Sequence, residues 1–530
     1  MSSEKPEWTF VRALRDQSAR GKAAFFCEFD GGGSHSFSDL DEASDACATG
    51  LAQQGIEPGD RVMIIAQNSF EFLVTFLGVQ KRRAILVPIN TELRGALLEH
   101  QIRTAKPRMV ISDRDVASEC PEAFERPTIF VAVGKRETSD KTAIPFADLL
   151  VRPEPTLVLE PEAQDICLVL YTSGTSGPSK GVLITQAHAY LFAMQQQRAL
   201  RITQDDRFFV ALPMFHVNAL LMSLGACLVS GASAYVVRRF SASKWLADVK
   251  ASRATITNML GVMAEFILQQ PEGADDRKHR LRRVMAVPLS GQWAKAFCRR
   301  FDVRLVQVYG MTECNMVSFT DIDEEQVPGC VGPISEEYFD VDVVDPDSDA
   351  PVGPEKVGEI VVRPKVPFGF MQGYLGIPET TVRAWRNLWF HTGDAGKWDA
   401  RRHLHFVDRI GDCIRRRGEN ISSFEIEQVL MTHDAVQECA AIGIKVAGAG
   451  GEDEVCVYVV PNADSLDWIT FTDWCVGKLP RYAVPRYFRA VSAIEKTPTG
   501  KVKKRELRER GVTADMWDRE KAGYKVARAS

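Results

Sequence analysis

Tyr171-Thr172-Ser173-Gly174-Thr175-Ser176-Gly177-Pro178-Ser179-Lys180-Gly181-Val182 is the stretch that decides the fold. Ahead of it runs Ile166-Cys167-Leu168-Val169-Leu170, apolar and partly β-branched, which predicts a buried strand. A strand that gives way to serine, threonine and glycine with one lysine suits an anion. Glycine lets the backbone turn tightly and bring its N–H groups close, hydroxyls add donors, and Lys180 adds a point charge. Triphosphate or pyrophosphate is the ligand implied. A flexible Gly/Ser linker is the plain alternative, but linkers seldom follow so apolar a strand this abruptly. A Walker loop ends in Gly-Lys-Ser/Thr, whose hydroxyl holds magnesium. Here Lys180 stands between Ser179 and Gly181, which disfavours a P-loop nucleotidase.

Around this stretch lie 530 residues, more than one ordinary domain. The formal net charge of −5 gives no sign of a nucleic-acid partner. The basic clusters Arg415-Arg416-Arg417 and 501–504 are local and read as solvated faces. Twelve cysteines are scattered without a Cys-x-x-Cys pair, which fits reduced thiols in a cytoplasmic protein better than disulfides or zinc. The first residues lack an apolar signal core. Residues 219–237 are apolar enough to raise the question of a membrane span. Ser223, Gly225, Ser230, Gly231 and Ser233 interrupt them, so a buried helix, a turn and a strand over 234–237 are expected instead.

Residues 8–165 alternate between helix-like and strand-like segments. Strands are predicted over 25–29, 60–65, 84–88 and 109–111. Helices are predicted over 70–83 and 93–104, and from a Ser38-Asp39 cap to residue 54. This rhythm implies a parallel sheet with helices on both faces, binding ligands at the carboxyl ends of its strands. A helix over 186–200 follows the loop, and a strand then leads into Leu212-Pro213-Met214-Phe215-His216-Val217-Asn218.

Four further motifs lie downstream: Val308-Tyr309-Gly310-Met311-Thr312-Glu313, Trp389-Phe390-His391-Thr392-Gly393-Asp394, Val407-Asp408-Arg409-Ile410-Gly411-Asp412 and Thr497-Pro498-Thr499-Gly500-Lys501. Between the last two comes Gly418-Glu419-Asn420, ahead of a helix predicted over 424–431. Each could be a strand end, a cap, a turn or a basic tail by itself. Their order, together with the Ser/Thr/Gly loop, resembles the adenylate-forming superfamily of acyl-CoA synthetases, luciferases and peptide-synthetase adenylation domains. The resemblance covers nearly the whole chain.

That resemblance implies an α/β fold: a large N-terminal domain (1–410) of mostly parallel sheets flanked by helices, and a smaller mobile C-terminal α+β domain (411–530) hinged at Gly411. It implies a phosphate loop of Thr172, Ser173, Gly174, Thr175, Ser176 and Lys180. Tyr309 would stack on adenine beside Gly310, Thr312 would contact the α-phosphate, and Glu313 would bind Mg²⁺. An aromatic face suits a purine and a hard carboxylate suits magnesium. Asp394 and Arg409 would hold the ribose, and a carboxylate can accept from both hydroxyls. His216, Val217, Asn218 and Met311 would line the acyl pocket; amino-acid activators carry aspartate where His216 stands. Gly418 and Glu419 would line the CoA passage. Lys501 would be catalytic, with Thr172, Lys180 and Glu313. Residues 284–290 depart from the Gly-Gly-Ala type of sequence usual beside the adenine, a departure resembling the crotonobetaine/carnitine–CoA ligase subgroup.

The reading is an AMP-forming acid–CoA ligase using ATP, Mg²⁺ and CoA on a small carboxylic acid such as a carnitine-like zwitterion, without nucleic acid or a membrane span, with a homodimer as the assembly common in relatives. Medium-chain and aryl acids stay open, as do an acyl-AMP ligase loading a carrier protein, a luciferase-like oxidase and a non-enzymatic nucleotide binder.

Overall fold

The computed structural model describes residues 7–21, 25–30, 33–124, 128–134, 142–172, 179–287, 291–412, 414–416, 419–446, 453–462, 466–476, 478–479, 483–496, 502–524 and 526. Contacts divide them into two compact units. One comprises residues up to Thr172, Ser179–Asp340 and Val362–Phe390; the other comprises Val341–Val361 and the chain from His391 onward.

The first unit holds the expected α/β architecture, with two large sheets. In one, the strand order is Gly373–Tyr374, Lys180–Thr185, Ile166–Thr172, Ile85–Pro88, Arg61–Ile65, Met109–Ser112, Ile129–Ala132, Ile144–Pro145. Pairing is parallel from Ile166–Thr172 to the far edge and antiparallel at the Lys180–Thr185 and Gly373–Tyr374 side. The other sheet is parallel through Arg304–Val306, Arg283–Val287, Ile256–Leu260, Arg207–Val210, Ser233–Val236 and Phe25–Phe29, and turns antiparallel only at Ser34–Ser36. Parallel strands are covered on both faces, which is why they read as continuous apolar runs. The helix Phe70–Gln80 is buried from Phe72 to Gln80, because it is apolar all round.

Several boundaries differ from the sequence reading. The second helix spans Phe37–Gln53 and is capped by Ser36 rather than the Ser38-Asp39 pair. Ser36 Oγ accepts from Asp39 N at 3.0 Å while Asp39 Oδ2 accepts from Ser36 N at 2.8 Å, a reciprocal capping box. The helix expected over 70–83 stops at Gln80, and Lys81 turns in to meet Asp41 and Asp45, each at 2.5 Å. The helix expected over 93–104 spans Gly95–Ala105. The apolar stretch at 219–237 forms a π-helix Asn218–Gly225, a short helix Ala226–Ser230 and the strand Ser233–Val236. Among the described residues no helix is long and apolar enough to cross a membrane.

In the second unit, Val436–Lys445, Asp453–Pro461, Tyr487–Ala490 and Trp517–Asp518 form a four-stranded sheet with an apolar cluster on each face. The helices Ser423–Leu430, Trp468–Val476 and Lys504–Glu509 accompany it, a small α+β arrangement. One residue of each basic cluster departs from the solvated face expected of it. Arg416 is 2 % exposed and pairs with Glu454 at 2.7 Å, and Lys504 reaches Glu427 at 2.8 Å and the Ser423 hydroxyl. Each charge is matched inside the unit, which permits its burial. Gly411 lies within this unit, next to the strand Leu404–Arg409.

Candidate active site

The Ser/Thr/Gly stretch connects the carboxyl end of Ile166–Thr172 to the strand Lys180–Thr185. Thr172 and Lys180 are register partners at its neck, with Thr172 Oγ1 3.5 Å from Lys180 O. It is therefore a hairpin connection. Ser173, Gly174, Thr175 and Ser176 lie outside the described residues. Its exit is tied to the helix Gly95–Ala105, where Gln101 Nε2 donates to Ser179 Oγ at 3.1 Å and His100 Nε2 meets Ser179 O at 3.0 Å.

Tyr309 and Gly310 lie on the strand Val308–Met311, which turns through Thr312-Glu313-Cys314 into Asn315–Phe319. A Cβ on Gly310 would come 2.2 Å from Asn315 O, so only glycine allows this closeness. Asn315 takes φ +75° at the turn and is fixed by Nδ2 donating to His188 O at 2.9 Å. Tyr309 and Glu313 are buried, each 5 % exposed, and Met311 is half-buried.

Tyr374, absent from the sequence reading, joins these two motifs. Its hydroxyl donates to Glu313 Oε1 at 3.1 Å, and Lys180 Nζ lies 4.8 Å from its ring centroid. The backbone around it clamps both partners: Met371 N donates to Glu313 O at 3.0 Å and Leu375 N to Gly181 O at 2.8 Å. No periodicity in the sequence marks Tyr374; only the pairing of Gly373–Tyr374 with Lys180–Thr185 brings it in.

The segment before His216 is held by Asn68, a second residue the sequence did not single out. Buried Asn68 donates to Leu212 O and Val237 O at 3.0 Å and accepts from Met214 N at 2.8 Å. The ring of His216 lies 4.4 Å from that of Phe215. His216, Val217 and Asn218 are all half-buried, and Asn218 begins the π-helix.

In the second unit, Asp394 and Arg409 come together. They are register partners, with Arg409 Nε 2.8 Å from Asp394 Oδ1. Buried Glu359 pins the turn ahead of Asp394 twice, accepting from Gly393 N at 3.0 Å and holding His391 Nδ1 at 2.8 Å. Thr392 Oγ1 donates to Ile360 O at 2.6 Å and accepts from Asp394 N at 3.1 Å. Gly393 takes φ +70°, a conformation suited to glycine. Glu419 forms the strand Glu419–Ile421 against Ile414–Arg416, while Gly418 and Lys501 lie outside the described residues.

Residues 13–375 match the AMP-binding enzyme family and residues 425–501 match the AMP-binding enzyme C-terminal domain. The chain belongs to the AMP-binding enzyme family. The superfamily resemblance drawn from the motifs is thereby borne out. Among curated relatives of this AMP-binding enzyme, a crotonobetaine/carnitine–CoA ligase of Salmonella paratyphi A is 28% identical over 484 residues, 89% of this chain and 93% of that protein. ATP-bound MatB from Rhodopseudomonas palustris aligns with a TM-score of 0.83 at 25% identity, covering 95% of this chain and 98% of that one. An anthranilate CoA ligase in complex with anthranoyl-AMP shares the fold, with a TM-score of 0.84 at 22% identity over 96% of this chain and 99% of that one.

Proposed function

We propose that this AMP-binding enzyme is an AMP-forming acid–CoA ligase working in two half-reactions. The observation that carries the reading is the arrangement around Tyr374, which ties the loop lysine and the Glu313 carboxylate together at the carboxyl end of the sheet. A carboxylate is a poor electrophile because its leaving group would be oxide. In the first half-reaction a carboxylate oxygen attacks the α-phosphorus of ATP. A P–O bond forms, the α–β bridge breaks, and pyrophosphate leaves with the electron pair. In the second, the CoA sulfur attacks the acyl carbon, the thiol proton is lost, and AMP departs.

Neither step needs a protein nucleophile, so positioning and charge neutralisation do the work. Lys180 and the loop from Thr172 to Ser176 bind phosphates, Thr312 contacts the α-phosphate, and Tyr309 beside Gly310 offers an aromatic face to adenine. Asp394 accepts from the ribose hydroxyls with Arg409 beside it. Lys501 neutralises the carboxylate and the bridging oxygen in the first step. Gly418 and Glu419 line the path of CoA in the second. Glu313 is a buried hard-oxygen donor oriented by the Tyr374 hydroxyl, and so fits a magnesium ion. Bound there, Mg²⁺ offsets the phosphate charge. His216, Val217, Asn218 and Met311 line the acyl pocket, with His216 where amino-acid activators carry aspartate.

Between the two steps the residues after Gly411 rotate. A Cβ at Gly411 would meet nothing within 4 Å, so packing does not require glycine here, and the hinge role rests on the freedom glycine gives a backbone that must swing. The domain division proposed is therefore 1–410 and 411–530. The described cysteines are free thiols, in keeping with a cytoplasmic enzyme, and the assembly proposed is a homodimer. The acid is a small one, with a carnitine-like zwitterion one option. The test is to supply ATP, Mg²⁺, free CoA and a panel of carboxylic acids, following pyrophosphate and thioester. Pyrophosphate without thioester would favour a carrier-protein acceptor, and no pyrophosphate with any acid would overturn the reading.

A further inference from the structure

A chain of three amides runs through the first unit to Asn218. Gln196 Nε2 donates to Asn258 Oδ1 at 2.9 Å, and Asn258 Nδ2 donates to Asn218 Oδ1 at 2.9 Å. Gln196 and Asn258 are buried, and Asn218 is half-buried. Such a relay could run in either direction, since an amide turned over exchanges its oxygen and nitrogen. Ser223 decides it. The Ser223 hydroxyl donates its one hydrogen to Asn218 O at 2.9 Å, so towards Asn258, 3.4 Å away, it can only accept. The nitrogen of Asn258 therefore faces Ser223 and Asn218, and its oxygen faces Gln196. The Asn218 side-chain oxygen accepts from the relay and so faces Asn258. Its Nδ2 is left as a donor with no hydrogen-bond partner among the described residues, on the side chain that is not fully covered.

Apolar residues at these positions would fill the space without the cost of burying amides. The relay instead fixes the orientation of one terminal N–H₂ group. We infer that Asn218 Nδ2 is a fixed hydrogen-bond donor of the acyl pocket, and that the enzyme selects carboxylic acids bearing an acceptor on the acyl chain: a second carboxylate, a carbonyl or a hydroxyl. This rests on the reading above that residues 216–218 line that pocket. A trimethylammonium group has no lone pair and gains nothing from this donor, whereas an oxygen acceptor meets one already oriented. A site built for a hydrogen bond discriminates strongly against an analogue lacking the partner, because its own polar group is then left unpaired.

The experiment compares matched acids in acid-dependent ATP–pyrophosphate exchange. Butanoate and pentanoate are set against derivatives carrying a carboxylate, oxo or hydroxyl group on the terminal or penultimate carbon. With the unaltered enzyme, at least one derivative should exceed its parent in kcat/KM by about tenfold. Asn218→Leu should abolish that advantage. The near-isosteric Asn218→Asp, which presents only acceptors, should abolish it too and guards against misfolding of the leucine variant. Parents used as well as every derivative by the unaltered enzyme, or an advantage retained in both variants, would overturn the inference. An acid KM that shifts equally for parent and derivative overturns the donor role alone. An acid KM unmoved in both variants removes Asn218 from the acyl pocket, and the inference falls with that placement.

Discussion

Arg409 Nε stands 2.8 Å from Asp394 Oδ1, across an antiparallel pair in which the two residues are direct register partners. The Asp394 side chain is almost fully buried while that of Arg409 is 38% exposed, so the arginine steadies the carboxylate from its open side. The turn carrying Asp394 is fixed by Glu359 and Thr392 before any ligand arrives. A ribose would thus meet an acceptor already oriented, with little ordering left to occur on binding.

Asp394→Ala should weaken ATP binding and slow both half-reactions, because AMP stays bound throughout. Hydrogen bonds to a charged group contribute on the order of 1.5–3 kcal/mol, or roughly 10- to 150-fold in affinity. Calorimetric titration with ATP and separate assays of adenylation and thioester formation give the comparison. Unchanged kinetics in both steps would remove Asp394 from the site.

Tyr374→Phe separates the two contacts of that side chain. The ring beneath Lys180 remains, and the hydroxyl on Glu313 is lost. The apparent affinity for Mg²⁺ in ATP binding should fall by roughly tenfold or more, the usual worth of a hydrogen bond to a charged group. Tyr374→Leu should remove the cation–π contact as well and weaken ATP binding further. Titrating Mg²⁺ into enzyme and ATP without acid keeps turnover out of the readout. Equal Mg²⁺ dependence in Tyr374→Phe and the unaltered enzyme would deny Tyr374 a role in orienting Glu313.

His188 gives a prediction about pH. Burial lowers its pKa to about 3, against a smaller opposing effect of the Phe370 backbone, and its ring stacks 5.3 Å from that of Phe192. Unfolded, the same side chain titrates near 6.5. Between these values the unfolded chain binds a proton that the folded chain does not, so stability is full above about pH 6.5 and falls as the pH drops towards 3. The share due to His188 changes by about 1.4 kcal/mol per pH unit in that window. Urea unfolding at pH 7, 6 and 5 should therefore show a shallower loss of stability in His188→Phe. Parallel losses in the two proteins would contradict the assignment.

What the sequence made legible was what its local chemistry determines. The strand Ile166–Thr172 and the helix Gln186–Leu200 follow from apolar runs and the turn residues between them. Asp394 and Arg409 were both singled out because each sits in a motif, and they lie side by side. Tyr374 and Asn68 were not, since both act through partners distant in the chain: Glu313 for one, Leu212 and Val237 for the other. Charge runs misled for the same reason. The partners that let Arg416 and Lys504 be buried are Glu454 and Glu427, which lie far from them in sequence. The cap of the second helix was misplaced by two residues because Ser36 and Ser38 both offer a hydroxyl, and only the return bond from Asp39 to the Ser36 N–H distinguishes them.

Lys501 and Gly411 should separate the half-reactions. Lys501→Ala should lose most adenylation, by roughly 3–4 kcal/mol by analogy with removing one electrostatic stabiliser of a transition state. Supplied with preformed acyl-adenylate and CoA, it should still make thioester at close to the normal rate. Gly411→Pro should spare adenylation and impair thioester formation. Lys501→Ala slowing both steps equally, or Gly411→Pro leaving both intact, would contradict rotation between the steps.

An acid that passes through an acyl-adenylate leaves one of its carboxylate oxygens on AMP, and that oxygen can be followed. An acid that serves as substrate is labelled with ¹⁸O in its carboxylate and turned over with ATP, Mg²⁺ and free CoA, and the products are read by mass spectrometry. One ¹⁸O should appear in the phosphate of AMP, with AMP, pyrophosphate and thioester formed in equal amounts. Label in inorganic phosphate with ADP as the nucleotide product, or AMP without label, would contradict it.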